Sequence, residues 1–300
     1  MLEELKTFIA VVEEKSFTKA AEIVNLSQPS VSVHIKHLEN YFDSQLITRC
    51  TKPQKLIVTE SGNLLYKRSK QLLALLETTK DELRHMDSTY KGHIKIGVTS
   101  TIGECILPSF LTKFCERYQD IHIEVIIGNS LDISNKMKSL QLDLALIEGS
   151  SSFPAFNQKC FFNDQLILIA PRSYLFNESP LPSHVLHKQR WITREHGSGL
   201  REAVDGFLVS HQIVPQNKLV LSSNYAIKEA VSNGLGISMI PRSLIHKVDT
   251  SNSIKVLQLN TSYKIAFSSL IPKHLPTTPI TNLFLDSFVK YMNIMYKYMD

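Results

Sequence analysis

Three short stretches in the second half of the chain carry residue types suited to holding an anion. They are Thr99-Ser100-Thr101, Gly128-Asn129-Ser130 and "REHGSGLR", residues 194–201. Each precedes a segment of helical character, and a helix amino terminus offers free N–H donors and a partial positive charge. Gly197 and Gly199 allow close backbone approach, and Ser198 adds a donor. The pattern points to a small anionic effector held by Thr99, Ser100, Thr101, Asn129, Ser130 and Ser198, with Arg194 or Arg201 as countercharge. Glu148, which ends "LDLALIE", is expected at the same place and would repel a fully ionised anion. The alternative is that these hydroxyls and amides are ordinary helix caps.

A second chemistry is written near the amino terminus, in "SFTKAAEIVNLSQPSVSVHIKHLE", residues 16–39. Two short helices, expected to be capped by Thr18 and Ser27, are separated only by Asn25-Leu26, the pattern of a helix-turn-helix. Pro29 falls in the first turn of the later helix, where its missing N–H costs nothing. Val31, Ile35 and Leu38 recur at spacings of four and three and point inward. Gln28, Ser30, Ser32, Val33, Lys36 and His37 are left on other faces. Gln pairs with adenine and Ser bonds to several bases, which suits the leading end of a recognition helix in a major groove. "QLITRCTKPQKLIVTESG" then reads as a two-stranded ribbon turning near Pro53-Gln54. Arg49, Lys52 and Lys55 around that turn are placed for phosphate. A helical triplet with a hairpin is also compatible with a mere packing module.

The elements that position these groups follow from periodicity. Leu2, Leu5, Phe8, Ile9 and Val12 predict a first amphipathic helix. A second runs from about Thr18 to Asn25, with Ala20-Ala21 at a close crossing and Ile23, Val24 and Leu26 in the core. After the ribbon, one long helix to about Met86 carries a heptad seam through Leu65, Ser69, Leu72, Leu76, Thr79, Leu83 and Met86, which favours pairing with another helix. From Gly92 strands and helices alternate, the mark of an α/β unit. "HIKIGVT", "ECILPSFLTKFCERY", "IHIEVIIG", "LDISNKMKSL" and "LDLALIEG" form a first lobe. The run from "QLILIA" to "GISMIP" forms a second. The chain returns through "IKVLQL" and "YKIAFSSL" to a closing helix around Ile280 to Tyr298.

Composition bounds the function. At 300 residues, 43% hydrophobic and 20% charged, the chain is long enough for two or three cores. The net charge is +5. Residues 1–90 are balanced, but between Lys15 and Lys70 nine bases face four acids, a locally basic stretch of the kind a phosphate-facing surface needs. No secretory signal or membrane span is expected. The four cysteines (Cys50, Cys105, Cys115, Cys160) form no CxxC pair, so a reducing cytoplasm fits. Catalysis finds little support: His196 and Ser198 are not a triad, there is no GxSxG or Walker loop, and His34/His37 and His184/His187 lack the further ligands of a zinc site. No catalytic residue, metal or cofactor is expected. A solute-binding protein without DNA recognition is the alternative, but it leaves the basic helix-turn-helix unexplained.

The order and spacing of "FIAVVEEKSFTKAAEIVNLSQPSVSVHIKHLENYFDSQLITR" and "KPQKLIVTESG" closely resemble the winged helix-turn-helix of LysR-type transcriptional regulators. One departure is Ile47, a core position where that family usually carries Phe. The resemblance implies an α/β protein with an N-terminal winged helix-turn-helix (1–60), a long linker and dimerisation helix (61–90), and a two-lobed effector domain with the fold of periplasmic binding proteins (91–300). Lobe I would span about 91–162 and 267–300, and lobe II about 163–266. It places Gln28, Pro29, Ser32 and Val33 at recognition positions, and makes Thr18, Ser27, Ser30 and Arg49 backbone contacts or caps. It implies promoter DNA and a small-molecule effector as partners, a homodimer through the linker helix that pairs into a tetramer, and RNA polymerase as a further partner. "REHGSGLR" also resembles the segment of LysR-type regulators of sulfur assimilation, with Leu200 standing where those relatives often carry Thr, and this suggests a sulfur oxyanion or related metabolite.

Overall fold

The computed structural model describes residues 1–49, 56–84, 90–175, 182–245, 253–259, 261–273 and 275–295. The chain forms two compact units, Met1–Leu83 and Arg84–Asp300. Among the described residues no helix is long and apolar enough to cross a membrane.

In the first unit α1 (Leu2–Glu14), α2 (Phe17–Ile23) and α3 (Gln28–Tyr41) enclose a core of Leu5, Phe8, Val11, Ala20, Ala21, Val31, Ile35 and Leu38. Leu2 is exposed, and the buried face of α1 is completed by Thr7 and Ala10 instead. α2 starts one residue earlier than expected because Ser16, in extended conformation, is the cap: its Oγ accepts the Lys19 N–H. Thr18 therefore lies within the helix and is exposed. The core assignment of Ile23 and Leu26 is also corrected, since they are 58% and 38% exposed. The two residues straddle the turn where Asn25 adopts a left-handed φ of 52°, a conformation Asn tolerates better than most residues. That turn swings both side chains outward.

β1 (Ile47–Arg49) and β2 (Leu56–Val58) pair antiparallel, Ile47 opposite Val58. Ile47 is buried in the first unit's core. The Glu39 carboxylate accepts the N–H groups of Leu46 and Ile47, at 2.9 and 3.2 Å, and fixes this ribbon to the end of α3. Thr59 caps α4 (Glu60–Arg84) by accepting the Gly62 N–H. A Cβ at Gly62 would lie 2.2 Å from the Leu46 carbonyl oxygen, so the "ESG" step requires glycine. On α4, Leu65 and Tyr66 pack on the core, whereas Leu64, Leu72 and Leu75 are exposed. The expected seam position Met86 and the side chain of Leu83 lie outside what is described.

The second unit is built on a seven-stranded sheet. Its order is β10 (Ile254–Leu257), β6 (Phe156–Pro171), β11 (Tyr263–Pro272), β5 (Leu144–Glu148), β3 (Gly92–Thr99) and β4 (Ile121–Gly128), with β9 (Ser238–Pro241) also on β6. β3 runs parallel to both β4 and β5 and is buried on both faces from Ile96 onward, as parallel strands usually are. α5 (Leu107–Arg117) and α10 (Pro279–Met295) cover one face through Phe110, Phe114, Phe284 and Phe288. α6 (Ser130–Lys138) covers the other through Ile133 and Met137. β7 (Arg190–Thr193) and β8 (Asn217–Val220) form a parallel pair attached by a bridge from Trp191 to Ile237. With α7 (Ser183–His187), α8 (Gly199–Ser210) and α9 (Asn224–Ser232) they make the second lobe. The long strands β6 and β11 run antiparallel through both lobes, with a bulge between Phe267 and Ser268.

One helix differs from the sequence expectation. The segment before α5 is a π-helical turn, Thr101–Ile106, closed by the Leu107 N–H on the Ile102 carbonyl. Pro108 follows at once; it lacks the N–H that would continue the α pattern, and its ring crowds the carbonyl four residues back. The wide turn accommodates both.

Candidate functional site

The leading end of α3 is open. Ser27 caps it by accepting the Ser30 N–H at 3.2 Å, and the Ser27 and Ser30 hydroxyls are 2.8 Å apart. Gln28 Nε2 donates to Ser32 Oγ at 3.0 Å, which holds the amide along the helix face. Ser27, Gln28, Pro29, Lys36 and His37 are exposed, Ser30 and Ser32 are half-buried, and Val33 is 64% exposed. Val31, Ile35 and Leu38 are buried on the opposite side. His37 Nδ1 lies 2.6 Å from the Glu4 carboxylate, which ties the helix to α1. The face thus combines short hydrogen-bonding groups with one apolar side chain, a combination suited to base edges and a thymine methyl. The side chain of Arg49, and the whole of Lys52 and Lys55, lie outside the described residues.

In the second unit, four helical starts converge on the carboxyl ends of β3, β5 and β7: the turn after Ser100, and α6, α8 and α9. Asn129, Ser198 and Ser223 are true caps, accepting N–H groups from Asp132, Arg201 and Ala226. Thr99, Ser100, Thr101, Ser130, Glu148 and Ser198 are all buried. Ser130 Oγ donates to the Glu148 carbonyl at 2.8 Å. A chain of bonds crosses between the lobes: Arg194 Nη1 donates to Asn224 Oδ1 at 2.7 Å, and Asn224 Nδ2 donates to Thr101 Oγ1 at 2.7 Å. Burial pushes the Glu148 carboxyl up to about 7, against hydrogen bonds from Thr101 and Asn224 and the charge of Arg194. Burial likewise raises Glu104, which the same guanidinium opposes. Three buried atoms here have no hydrogen-bond partner: Thr99 Oγ1, Thr193 Oγ1 and Glu148 Oε2. Each is at or near the carboxyl end of its strand, where an α/β fold receives ligands.

Two expectations are corrected. Arg201 is not a spare countercharge, since its Nε donates to Asp205 at 2.6 Å and its Nη1 donates to the Arg194 carbonyl at 2.9 Å. Gly199 does permit a close approach, but to the other lobe's backbone: a Cβ there would lie 1.9 Å from the Glu148 carbonyl oxygen. Gly149 faces it, and a Cβ on Gly149 would lie 2.6 Å from Gly199 Cα. Gly197 holds a φ of 86° and its carbonyl accepts the Leu131 N–H across the cleft. Leu200 is packed in the core of the second lobe. Among the described residues no group of three or more His, Cys, Asp or Glu is arranged to hold a metal ion.

Residues 2–63 match the family described as bacterial regulatory helix-turn-helix protein, lysR family, and residues 87–293 match the LysR substrate binding domain. The chain belongs to the LysR family. It is a DNA-binding transcriptional regulator with a small-molecule effector domain, not an enzyme. Among curated LysR relatives, it is 40% identical over 257 residues to the HTH-type transcriptional regulator CysL of Bacillus subtilis (strain 168), covering 85% of each chain. It is 35% identical over 244 residues to YeiE of Escherichia coli (strain K12), covering 81% of each. The fold matches ArgP from Mycobacterium tuberculosis with a TM-score of 0.73 at 18% identity, covering 96% of both chains. It also matches the Synechocystis CcmR regulatory domain in complex with 2-PG, with a TM-score of 0.62 at 26% identity over 67% of this chain and 97% of that one.

Sequence reading of this LysR effector domain missed four cleft residues: Thr193, Glu195, Asn224 and Glu104. Thr193 was accessible to the same rule that selected Thr99, because it ends the strand "RWIT". Asn224 lies 123 residues from the Thr101 it contacts, and no local signal connects them.

Proposed function

We propose that this regulator reads promoter DNA with the leading end of α3 and is switched by a small oxyanion bound between its lobes. Gln28, Ser32 and Val33 approach base edges, Pro29 sets the start of the helix, and Thr18, Ser27, Ser30, Lys36, Arg49, Lys52 and Lys55 face phosphates. Thr99, Ser100, Thr101, Asn129, Ser130 and Ser198 surround the effector. Arg194 supplies positive charge, and Glu148 donates a hydrogen bond in its protonated form rather than repelling. The observation that carries this reading is the trio of buried, unpartnered atoms, Thr99 Oγ1, Thr193 Oγ1 and Glu148 Oε2. Buried polar groups are nearly always paired, so three orphans in one cleft ask for a guest with several oxygens.

The likeness of "REHGSGLR" to regulators of sulfur assimilation, together with the similarity to CysL, supports a sulfur oxyanion or a related metabolite as that guest. CcmR, captured with 2-PG, is a precedent for a small ligand in such a domain. The exposed Leu64, Leu72 and Leu75 support pairing of α4 helices into a dimer, and dimers into a tetramer, in the cytoplasm, with RNA polymerase as a further partner. The domains in this reading are residues 1–60, 61–90 and 91–300, with the lobes exchanging near 162 and 267, beside the β11 bulge. Calorimetric titration with sulfate, sulfite, thiosulfate and O-acetylserine tests the effector class. Binding of one of them that Thr99→Val weakens is expected, and silence from all four removes the sulfur assignment.

A further inference from the structure

The effector cleft already contains a carboxylate. Arg194 Nε donates to Glu195 Oε2 at 2.8 Å and Arg194 Nη2 donates to Glu195 Oε1 at 2.9 Å, a two-pronged grip. A planar guanidinium offers this fork equally to a carboxylate, a sulfate or a phosphate. The same Glu195 Oε1 accepts from Asn129 Nδ2 at 3.3 Å. Asn129 belongs to the first lobe, where its Oδ1 caps α6. One side-chain oxyanion is therefore held at once by the buried cation of the second lobe and by an amide at a helix start of the first.

The two partners of this ion pair differ in their freedom to leave. Arg194 is 2% exposed, and its remaining terminal nitrogen is committed to Asn224 and so to Thr101. Withdrawing it would strand a buried charge and break the inter-lobe chain. Glu195 is 25% exposed, and the side chains bonded to its carboxylate are those of Arg194 and Asn129. Burial alone would push its carboxyl up, but the bonds from Arg194, its own backbone N–H and Asn129 hold it below the ordinary range, so it is fully charged at neutral pH. Solvent already reaches the Glu195 side chain, whereas the Arg194 guanidinium is shut away from it.

Resting on the reading that an oxyanion binds between the lobes, we infer that Glu195 is an internal occupant of the anion subsite, displaced from Arg194 and Asn129 by the effector. The ligand this selects carries two oxygens on one centre, as a sulfonate, sulfate or carboxylate does, to replace both prongs. The exchange conserves the pairing of the buried cation. It also substitutes a bridging ligand for the chain's own bridge between lobes, which gives binding a direct hold on their arrangement.

The test is calorimetric titration of the full-length chain with sodium sulfate and sodium thiosulfate, comparing wild type with Glu195→Gln. The glutamine keeps the size and an acceptor oxygen but not the charge. The expected result is binding tighter by about tenfold or more, as relief from a competing charge predicts. A purely structural Glu195 predicts the reverse, because loss of the pair would misplace Arg194. Equal or weaker binding by the variant, where wild type binds, overturns the inference and leaves the cleft reading standing. Failure of both proteins to take either anion overturns both. If Glu195→Gln does not fold, Glu195→Asp, whose shorter side chain spans the fork poorly, is expected to tighten binding in the same direction. A liganded structure with Glu195 still forked on Arg194 would also refute displacement.

Discussion

Replacing Glu148 with glutamine tests the physics of the cleft without any ligand. The wild-type carboxyl is raised by burial from an ordinary 4.5 to about 7. The folded chain therefore keeps this proton over a pH range in which the unfolded chain has lost it. Stability falls as pH rises from about 4.5 to 7 and levels off above, because the side that binds more protons is disfavoured at high pH. Integrated between pH 5 and pH 8, that shift amounts to about 2 to 3 kcal/mol at 1.36 kcal/mol per pH unit. Glu148→Gln removes the titration, so the stability gap between variant and wild type should move by that amount in the variant's favour between the two pH values. The chain's single tryptophan, Trp191, is fully buried in the second unit, so its fluorescence reports that unit alone during urea unfolding. Midpoints at pH 5 and pH 8, with slopes unchanged, give the two gaps. A gap that does not change with pH would mean Glu148 is charged throughout, and the argument that it donates a hydrogen bond would fail.

Thr99→Val and Thr193→Val each remove an unpartnered buried hydroxyl; thermal unfolding should show stability unchanged or raised by about 1 kcal/mol, while calorimetry shows effector binding weakened. Gly62→Ala drives a Cβ into the Leu46 carbonyl and should cost about 1 to 3 kcal/mol in the first unit, read by denaturant unfolding followed by far-ultraviolet circular dichroism. Gln28→Ala and Ser32→Ala should each reduce discrimination between operator and unrelated DNA by about 1 to 3 kcal/mol in competition binding. By contrast, Lys52→Ala should weaken both DNAs alike and lower the salt slope by about 1.

What the sequence disclosed was local chemistry with its own punctuation. The Ser27 cap, Pro29 in the first turn and the four-three spacing of Val31, Ile35 and Leu38 specify α3 without tertiary help. The strands were legible because Ile94, Ile96 and Val98 alternate along β3 and because β5 is apolar on both faces up to Glu148. The cap of α2 was expected at Thr18, but Ser16 carries the same hydroxyl two residues earlier, and only the backbone dihedrals decide which one caps. Ile23 and Leu26 have core chemistry, but the left-handed Asn25 turns them out, and an apolar residue type carries no record of that turn. The pairing of Arg194 with Glu195 was hidden for a related reason. Adjacent residues do not face one another in a helix, and Arg194 and Glu195 meet because they lie in the non-helical chain after β7. Lobe-to-lobe bonds such as Asn224 to Thr101 belong to topology and to no window of sequence.

Gly149 and Gly199 bring backbone against backbone from opposite lobes, with no side chain between them. Such a contact is a hard stop: the jaws can pivot around it or part, but they cannot close further at that point. A guest too large for the present gap would then have to open the lobes through an angle about the glycine pair as fulcrum. An alanine at either position would act as a permanent shim and hold the jaws apart with no guest present. Comparing the small-angle scattering profile of Gly149→Ala with that of the loaded and empty parent would read that angle, and identical profiles for all three would dismiss the lever.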